Sequence, residues 1–299
     1  MVNLGLDKNV YSHYDEGIMF EGVLRMPYFK ASQAELYYEE MGSGRPIVLI
    51  HGFTPDHRLM SGCMEPIFEN RAGWRRIYLD LPGMGQSKNY AGIESTDEML
   101  DAVLELIDAL VPESCFAVVG ESYGGYLTRG IIARRSERVE GAAFICPLIV
   151  PDPAQRELPD HTVIYEDPAL SNELSPEEYE DFRSMSAVID RHTWERYAKE
   201  IVPGCRVADS AFLDKIRARY GFSFSIDQET FDAPSLFLLG RQDTSVGYAD
   251  ALRLLDQYPR GTFAVVDRAG HNLQIEQENM FNALMNEWLD RVEEARDKE

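Results

Sequence analysis

"VVGESYGGYL", residues 118–127, places Ser122 between Gly120 and Gly124, directly behind the apolar run Phe116-Ala117-Val118-Val119. Small residues let a strand turn sharply into a helix. The same turn can lift a hydroxyl above the edge of a sheet, where a substrate can meet it. The G-x-S-x-G pattern is weak alone, and its context decides. Val119 ends the apolar run, and Tyr126-Leu127-Thr128-Arg129-Gly130-Ile131-Ile132 continues as a helix. Glycine is needed at 120 and 124 because side chains there would collide across the bend.

Similar apolar runs recur on both sides of this turn: Pro46 to Ile50, Arg76 to Leu79, Ala142 to Ile145, Ser235 to Leu239 and Thr262 to Val266. Runs without polar alternation suit strands buried on both faces, as in a parallel sheet. Leu36 to Glu40, before the turn Gly42-Ser43-Gly44, reads as an antiparallel strand feeding that sheet. Helical stripes lie between the runs. Ser95 and Glu98 form a capping box ahead of Met99, Ala102, Val103, Leu106, Ile107 and Leu110. Phe281, Leu284, Met285, Trp288, Leu289 and Val292 share a face near the C-terminus, and the charged tail from Glu293 reads as a frayed end. The expected class is α/β, with helices on both faces of the sheet.

The alternation fails over residues 151–225, where acidic, Pro-punctuated helical patterns such as Pro176 to Met185 and Thr193 to Ile201 intervene. An insertion at that point predicts a helical cap over the carboxyl edge of the sheet. The expected organisation is an extension over 1–35, packed through Tyr11, Tyr14, Phe20, Tyr28 and Phe29, then a core of 36–150 and 226–299.

Composition narrows the function classes. Hydrophobic residues make up 44% of the 299 and aromatics 11%, which suits a folded chain. The formal net charge of -22 repels phosphate backbones and anionic membrane faces, so neither nucleic acid nor membrane is an expected partner. The N-terminus does not read as a signal peptide, and no apolar stretch approaches the ~20 residues that span a bilayer. Cys63, Cys115, Cys146 and Cys205 show no C-x-x-C spacing and are expected to be reduced and mostly buried, in a cytoplasmic protein. The six histidines form no H-E-x-x-H pair, so neither a metal nor a cofactor is expected.

A serine hydroxyl needs a base to take its proton, and the base needs an acid to orient it. Asp243 in Gly240-Arg241-Gln242-Asp243 and His271 in Ala269-Gly270-His271-Asn272 follow strand-like runs in the order Ser, Asp, His. Asp152 is the alternative acid. Asp267 is expected only to end its strand or pair with Arg268. The tetrahedral oxygen needs amide donors; the candidates are the N–H groups of Tyr123 and of Phe53, with Gly52 freeing the backbone to bend inward. His51 is expected to be structural, and His57, His161 and His192 to lie on the surface or the cap. "PGMGQS" lacks the GK[ST] of a phosphate loop and reads as a tight turn after a strand.

With "VLIHGF", "LDLPGMGQS", "VVGESYGGYL", "LLGRQDTSV" and "RAGHN" in place, residues 36–291 resemble an α/β-hydrolase. The resemblance implies an acyl-enzyme route in which Ser122 attacks, His271 shuttles protons and Asp243 orients His271. Serine at the nucleophile position argues against a haloalkane dehalogenase or epoxide hydrolase. "HGF" lacks the HGGG of many lipases and the HGGPG of prolyl iminopeptidases, although "GESYGG" is close to the elbow of the latter. The expected activity is cleavage of an ester or related acyl bond in a small, largely apolar molecule. An aminopeptidase, a carbon–carbon bond hydrolase and a non-catalytic small-molecule-binding protein are the alternatives.

Overall fold

The computed structural model describes residues 27–296 and the paired strands Met19–Phe20 and Val23–Leu24. The aromatic residues expected to anchor the N-terminal extension at Tyr11, Tyr14 and Phe20 lie outside the described side chains. Tyr28 and Phe29 belong to an edge strand, and Phe29 packs on the core.

The central sheet has eight strands: β1 (Tyr28–Lys30), β2 (Glu35–Met41), β3 (Arg45–Ile50), β4 (Trp74–Leu79), β5 (Phe116–Glu121), β6 (Val139–Ile145), β7 (Ser235–Gly240) and β8 (Gly261–Val266). Their order across the sheet is β8-β7-β6-β5-β3-β4-β2-β1. Only the β1–β2 and β2–β4 pairs are antiparallel. Every other neighbouring pair is parallel. The uninterrupted apolar runs are explained by this placement. Leu49 pairs with Tyr78 on one side and Val119 on the other, and helices cover both faces, so Ile47 to Ile50 and Leu236 to Leu239 are all 0% exposed. Burying each such side chain contributes about 1.5–3 kcal/mol. β8 is the exception among the expected buried strands. It lies at the sheet edge and Val265 stays exposed.

Three helices fix the frame of the site. α1 (His57–Phe68) follows β3, α2 (Thr96–Leu110) follows β4, and α3 (Tyr123–Arg135) follows β5. The capping box expected on α2 is only half formed. Ser95 accepts from Glu98 N, but the Glu98 carboxylate reaches Glu94 N rather than closing back on Ser95. The C-terminal helix runs from Glu278 to Arg296 and buries Phe281, Met285, Trp288, Leu289 and Val292, so it continues past Glu293, where a frayed end was expected; residues 297–299 of that tail lie outside the described residues.

Residues between β6 and β7 leave the sheet. They form α4 (Pro176–Met185), α5 (Arg191–Glu200), α6 (Val202–Val207), α7 (Ser210–Arg217) and a short parallel pair, Tyr165–Glu166 with Val188–Ile189. Phe182, Trp194 and Tyr197 cluster inside this segment. It closes on the core at loops beyond the carboxyl ends of three parallel strands. Gly204 packs on Asp56 after β3, the Phe212 ring on Gly83 after β4, and Ala187 and Val188 on Glu276 after β8. No described helix is long and apolar enough to cross a membrane. All four cysteines are free, Cys63 and Cys146 buried and Cys115 and Cys205 exposed, so half rather than most of them are inside.

Candidate active site

The turn between β5 and α3 is as tight as its sequence implies. A Cβ on Gly120 would stand 2.3 Å from the carbonyl oxygen of Gly124, and one on Gly124 would stand 2.2 Å from that of Ile50. Ser122 takes φ 51° and ψ -115°, a conformation that L residues rarely adopt and that neighbouring contacts must hold in place. The strain leaves the hydroxyl at the carboxyl end of the sheet, with the residue 9% exposed.

His271 and Asp243 meet it there. His271 Nε2 lies 2.9 Å from Ser122 Oγ, and His271 Nδ1 lies 2.8 Å from Asp243 Oδ2. Asp243 is fully buried, and its Oδ1 accepts from Ser245 N at 2.8 Å and Val246 N at 3.1 Å. A carboxylate so held can only accept, so the proton of the neutral imidazole sits on Nδ1 and Nε2 faces the hydroxyl. Burial disfavours the imidazolium, but the charge and hydrogen bond of Asp243 and the charge of Glu121 outweigh it. The His271 pKa is raised to about 9.

The alternative acid is elsewhere. Asp152 is exposed and caps Ala154 N and the Gln155 amide. Asp267 is exposed beyond the end of β8. Phe53 and Tyr123 come together, with ring centroids 5.1 Å apart, and Tyr220 stacks on Tyr123 at 4.9 Å. As the first residue of α3, Tyr123 has an N–H with no intrahelical acceptor. Its ring is wholly buried, with the hydroxyl 2.9 Å from Thr96 Oγ1. Gly52 lies against Glu121. Its φ is not positive; instead a Cβ there would stand 2.1 Å from Glu121 Oε2.

His51 is structural as expected. It is buried, its ring spans Gly52 O and Leu81 N, and burial pushes its pKa down. His57 departs from expectation. It is buried at the start of α1, with Nδ1 2.8 Å from Asp80 Oδ1 and Nε2 3.5 Å from Glu39, and despite burial these partners raise its pKa to about 10. Asp80 also accepts from Gln86 N, which wraps the "PGMGQS" turn around a carboxylate rather than a phosphate. His161 and His192 are exposed.

Among the described residues, two clusters bring metal-ligating atoms within 4.8 Å of one another: Cys146, Asp243 and His271, and Asp56, His57 and Asp80. In the first, both imidazole nitrogens are engaged and burial holds the Cys146 thiol well above its ordinary pKa, so it is not a thiolate. In the second, the imidazole is held between carboxylates as a cation, which a metal would have to displace.

Glu276 had no distinguishing mark in the sequence. Its buried carboxylate accepts from Gly270 N at 2.5 Å, Ala187 N at 2.5 Å and Val188 N at 2.9 Å. It thereby joins the residue before His271 to the segment inserted between β6 and β7. Burial outweighs these donors, and its pKa is pushed up to about 7.

A family model described as alpha/beta hydrolase fold matches residues 45–278. A 2-hydroxy-6-oxo-2,4-heptadienoate hydrolase of Pseudomonas putida is 28% identical over 265 residues, 87% of this chain and 94% of that protein. The crystal structure of an alpha/beta superfamily hydrolase from Oenococcus oeni superposes with a TM-score of 0.82 at 30% identity, covering 90% of this chain and 100% of the other. A meta-cleavage product hydrolase from Pseudomonas fluorescens superposes with a TM-score of 0.64 at 25% identity, covering 89% and 97%.

Proposed function

We propose that this chain, which belongs to the alpha/beta hydrolase family, is a serine hydrolase working through a covalent intermediate on Ser122. The observation that carries the reading is the unbroken relay from Asp243 through His271 to Ser122, at 2.8 and 2.9 Å. Ser122 Oγ adds to a carbonyl carbon as its proton passes to His271 Nε2, and the carbonyl π pair moves onto oxygen. The N–H groups of Phe53 and Tyr123 receive that oxyanion. Collapse expels the leaving group, which takes the proton from His271. Water then repeats the sequence and frees the acid. Asp243 keeps the imidazole in the tautomer that accepts at Nε2 and stabilises the imidazolium that forms.

The substrate is a small, largely apolar ester or related acyl compound, and residues 151–225 act as the cap. The aromatic faces of Phe53 and Tyr220 beside the elbow support an apolar substrate. A second reading is hydrolysis of a carbon–carbon bond next to a carbonyl. It is favoured by the Pseudomonas putida and Pseudomonas fluorescens hydrolases to which this chain is similar along most of its length. In that case His271 returns its proton to a carbon leaving group.

A fluorophosphonate probe tests the nucleophile: Ser122 should be labelled, and Ser122→Ala should neither label nor turn over a short p-nitrophenyl ester. Undiminished turnover by that variant would reject the reading. Comparing a p-nitrophenyl ester with a 2-hydroxy-6-oxo dienoate separates the two bond types. The larger kcat/KM identifies which one the site serves.

A further inference from the structure

Glu121 stands next to the nucleophile in the chain and is 2% exposed. Its carboxylate reaches two parts of the site at once. Its Oε2 packs against the backbone of Gly52, and its Oε1 lies 3.5 Å from His271 Nε2. A buried carboxylate with no ligand and no surface role needs a reason, because isolating its charge from water is costly unless donors or cations surround it. The reason is visible on both sides. Gly52 has surrendered its Cβ to make room, since that atom would fall 2.1 Å from Glu121 Oε2. The imidazole is flanked by two carboxylates, Asp243 at Nδ1 and Glu121 at the Nε2 edge.

We infer that Glu121 is a second carboxylate of the site, a positioning residue that anchors the loop carrying Phe53 by packing against Gly52 and presents its charge to the Nε2 edge of His271. The inference rests on the serine-hydrolase reading and deepens it. Anchoring Gly52 sets where the neighbouring Phe53 N–H points, and amide placement governs how well an oxyanion is held. The charge acts on the imidazole when it carries the serine proton, as a cation between two anions. Burial, and then the nearby charge of Asp243, lift the Glu121 pKa to about 7, so at neutrality and above the carboxylate is substantially ionised. The other titratable groups that sense its charge are Cys63 on α1, Cys146 after β6, Cys205 on α6 and Tyr220 after α7.

The charge and the anchor separate by substitution. Glu121→Gln keeps the side-chain shape that packs on Gly52 and removes the charge, whereas Glu121→Ala removes both. The first readout is the imidazole titration of His271 by NMR in a Ser122→Ala background, which needs no turnover. Adding Glu121→Gln should lower the His271 pKa by about one unit or more. The second is the pH profile of fluorophosphonate labelling with Ser122 intact. Glu121→Gln should move the acidic limb down and raise the ratio of the rate at pH 7 to that on the alkaline plateau several-fold. Glu121→Ala should also lower the plateau by about tenfold or more. An unmoved His271 titration, or a uniform loss of rate with the limb in place, overturns the inference. Should Glu121→Ala fail to fold, Glu121→Asp replaces it. Its shorter carboxylate should keep the limb high but lower the plateau, and a wild-type plateau would refute the anchor. Absence of Ser122 labelling in the wild type would instead refute the hydrolase reading, while the NMR titration still judges Glu121.

Discussion

Gly124 lies so near Ile50 that a Cβ on it would stand 2.2 Å from the Ile50 carbonyl oxygen. The first turn of α3 is thus pressed directly on the end of β3, beside the strained Ser122. Gly124→Ala should push the helix off the strand, costing about 1–3 kcal/mol in overpacking. The expected result is a lower denaturation midpoint together with lost fluorophosphonate labelling. Labelling at the wild-type rate would show that the contact does not hold the nucleophile.

Asp243 and Asp152 give opposite expectations. Asp243→Asn places an amide against Nδ1 and favours the wrong tautomer, so kcat should fall about 10⁴-fold with the fold intact. Asp152→Asn should leave the rate within a factor of a few, because that carboxylate caps an exposed turn. Steady-state rates of the two variants on one ester decide the matter, and equal losses would contradict the assignment.

His271 predicts an alkaline acidic limb. An imidazolium cannot accept the serine proton, so kcat/KM should rise with pH toward the His271 value of about 9 rather than level off near the ordinary 6.5. A profile already flat at pH 7 would show that Asp243 and Glu121 do not exert the expected charge effect.

The same raised values have a stability consequence. His57 and His271 have folded pKa values of about 10 and about 9, above the unfolded value near 6.5, so the folded state holds extra protons between those limits. Their contribution is complete below about pH 6.5 and fades as pH rises through about 9 and 10. Urea midpoints should therefore decline from neutral to alkaline pH, and His57→Gln should flatten the decline. A His57→Gln curve parallel to wild type would exclude His57 as its source.

Glu276 ties Gly270, beside His271, to Ala187 and Val188. Glu276→Ala leaves all three buried backbone donors without an acceptor, a loss of about 1–3 kcal/mol for each. Hydrogen exchange of Ala187 and Val188 should quicken and kcat should fall. Unchanged exchange at those amides would show that the carboxylate is not the link between the two segments.

The sequence read the sheet well where burial left a local imprint. Each continuous apolar run from Pro46 to Leu239 became a buried strand, because a segment covered on both faces can carry few polar residues, while the run at Thr262 to Val266 became the partly exposed edge strand. The elbow was also legible, since Gly120 and Gly124 answer a steric demand within a few residues of Ser122. Asp243 and His271 could be nominated from chain order and from their positions after strand-like runs, and they do converge on Ser122.

What was missed lies in charge partnerships between distant segments. His57 looked like a surface residue because Glu39 and Asp80, its partners, stand 18 and 23 positions away in the chain. Glu276 was one of 51 acidic residues. Nothing local separates a carboxylate that accepts three buried backbone amides from one in water. Glu121 was adjacent to Ser122 but silent about its approach to His271.

Local sterics and apolar continuity act within a few residues, so the sequence by itself determined the α/β class and the strand-to-helix turn, and it nominated Ser122, Asp243 and His271, which folding brings together. The surroundings that tune them are made of pairs brought together only by folding. The tertiary structure alone therefore decided that Glu121 reaches Gly52 and His271, and that Glu276 joins the histidine loop to the inserted helices.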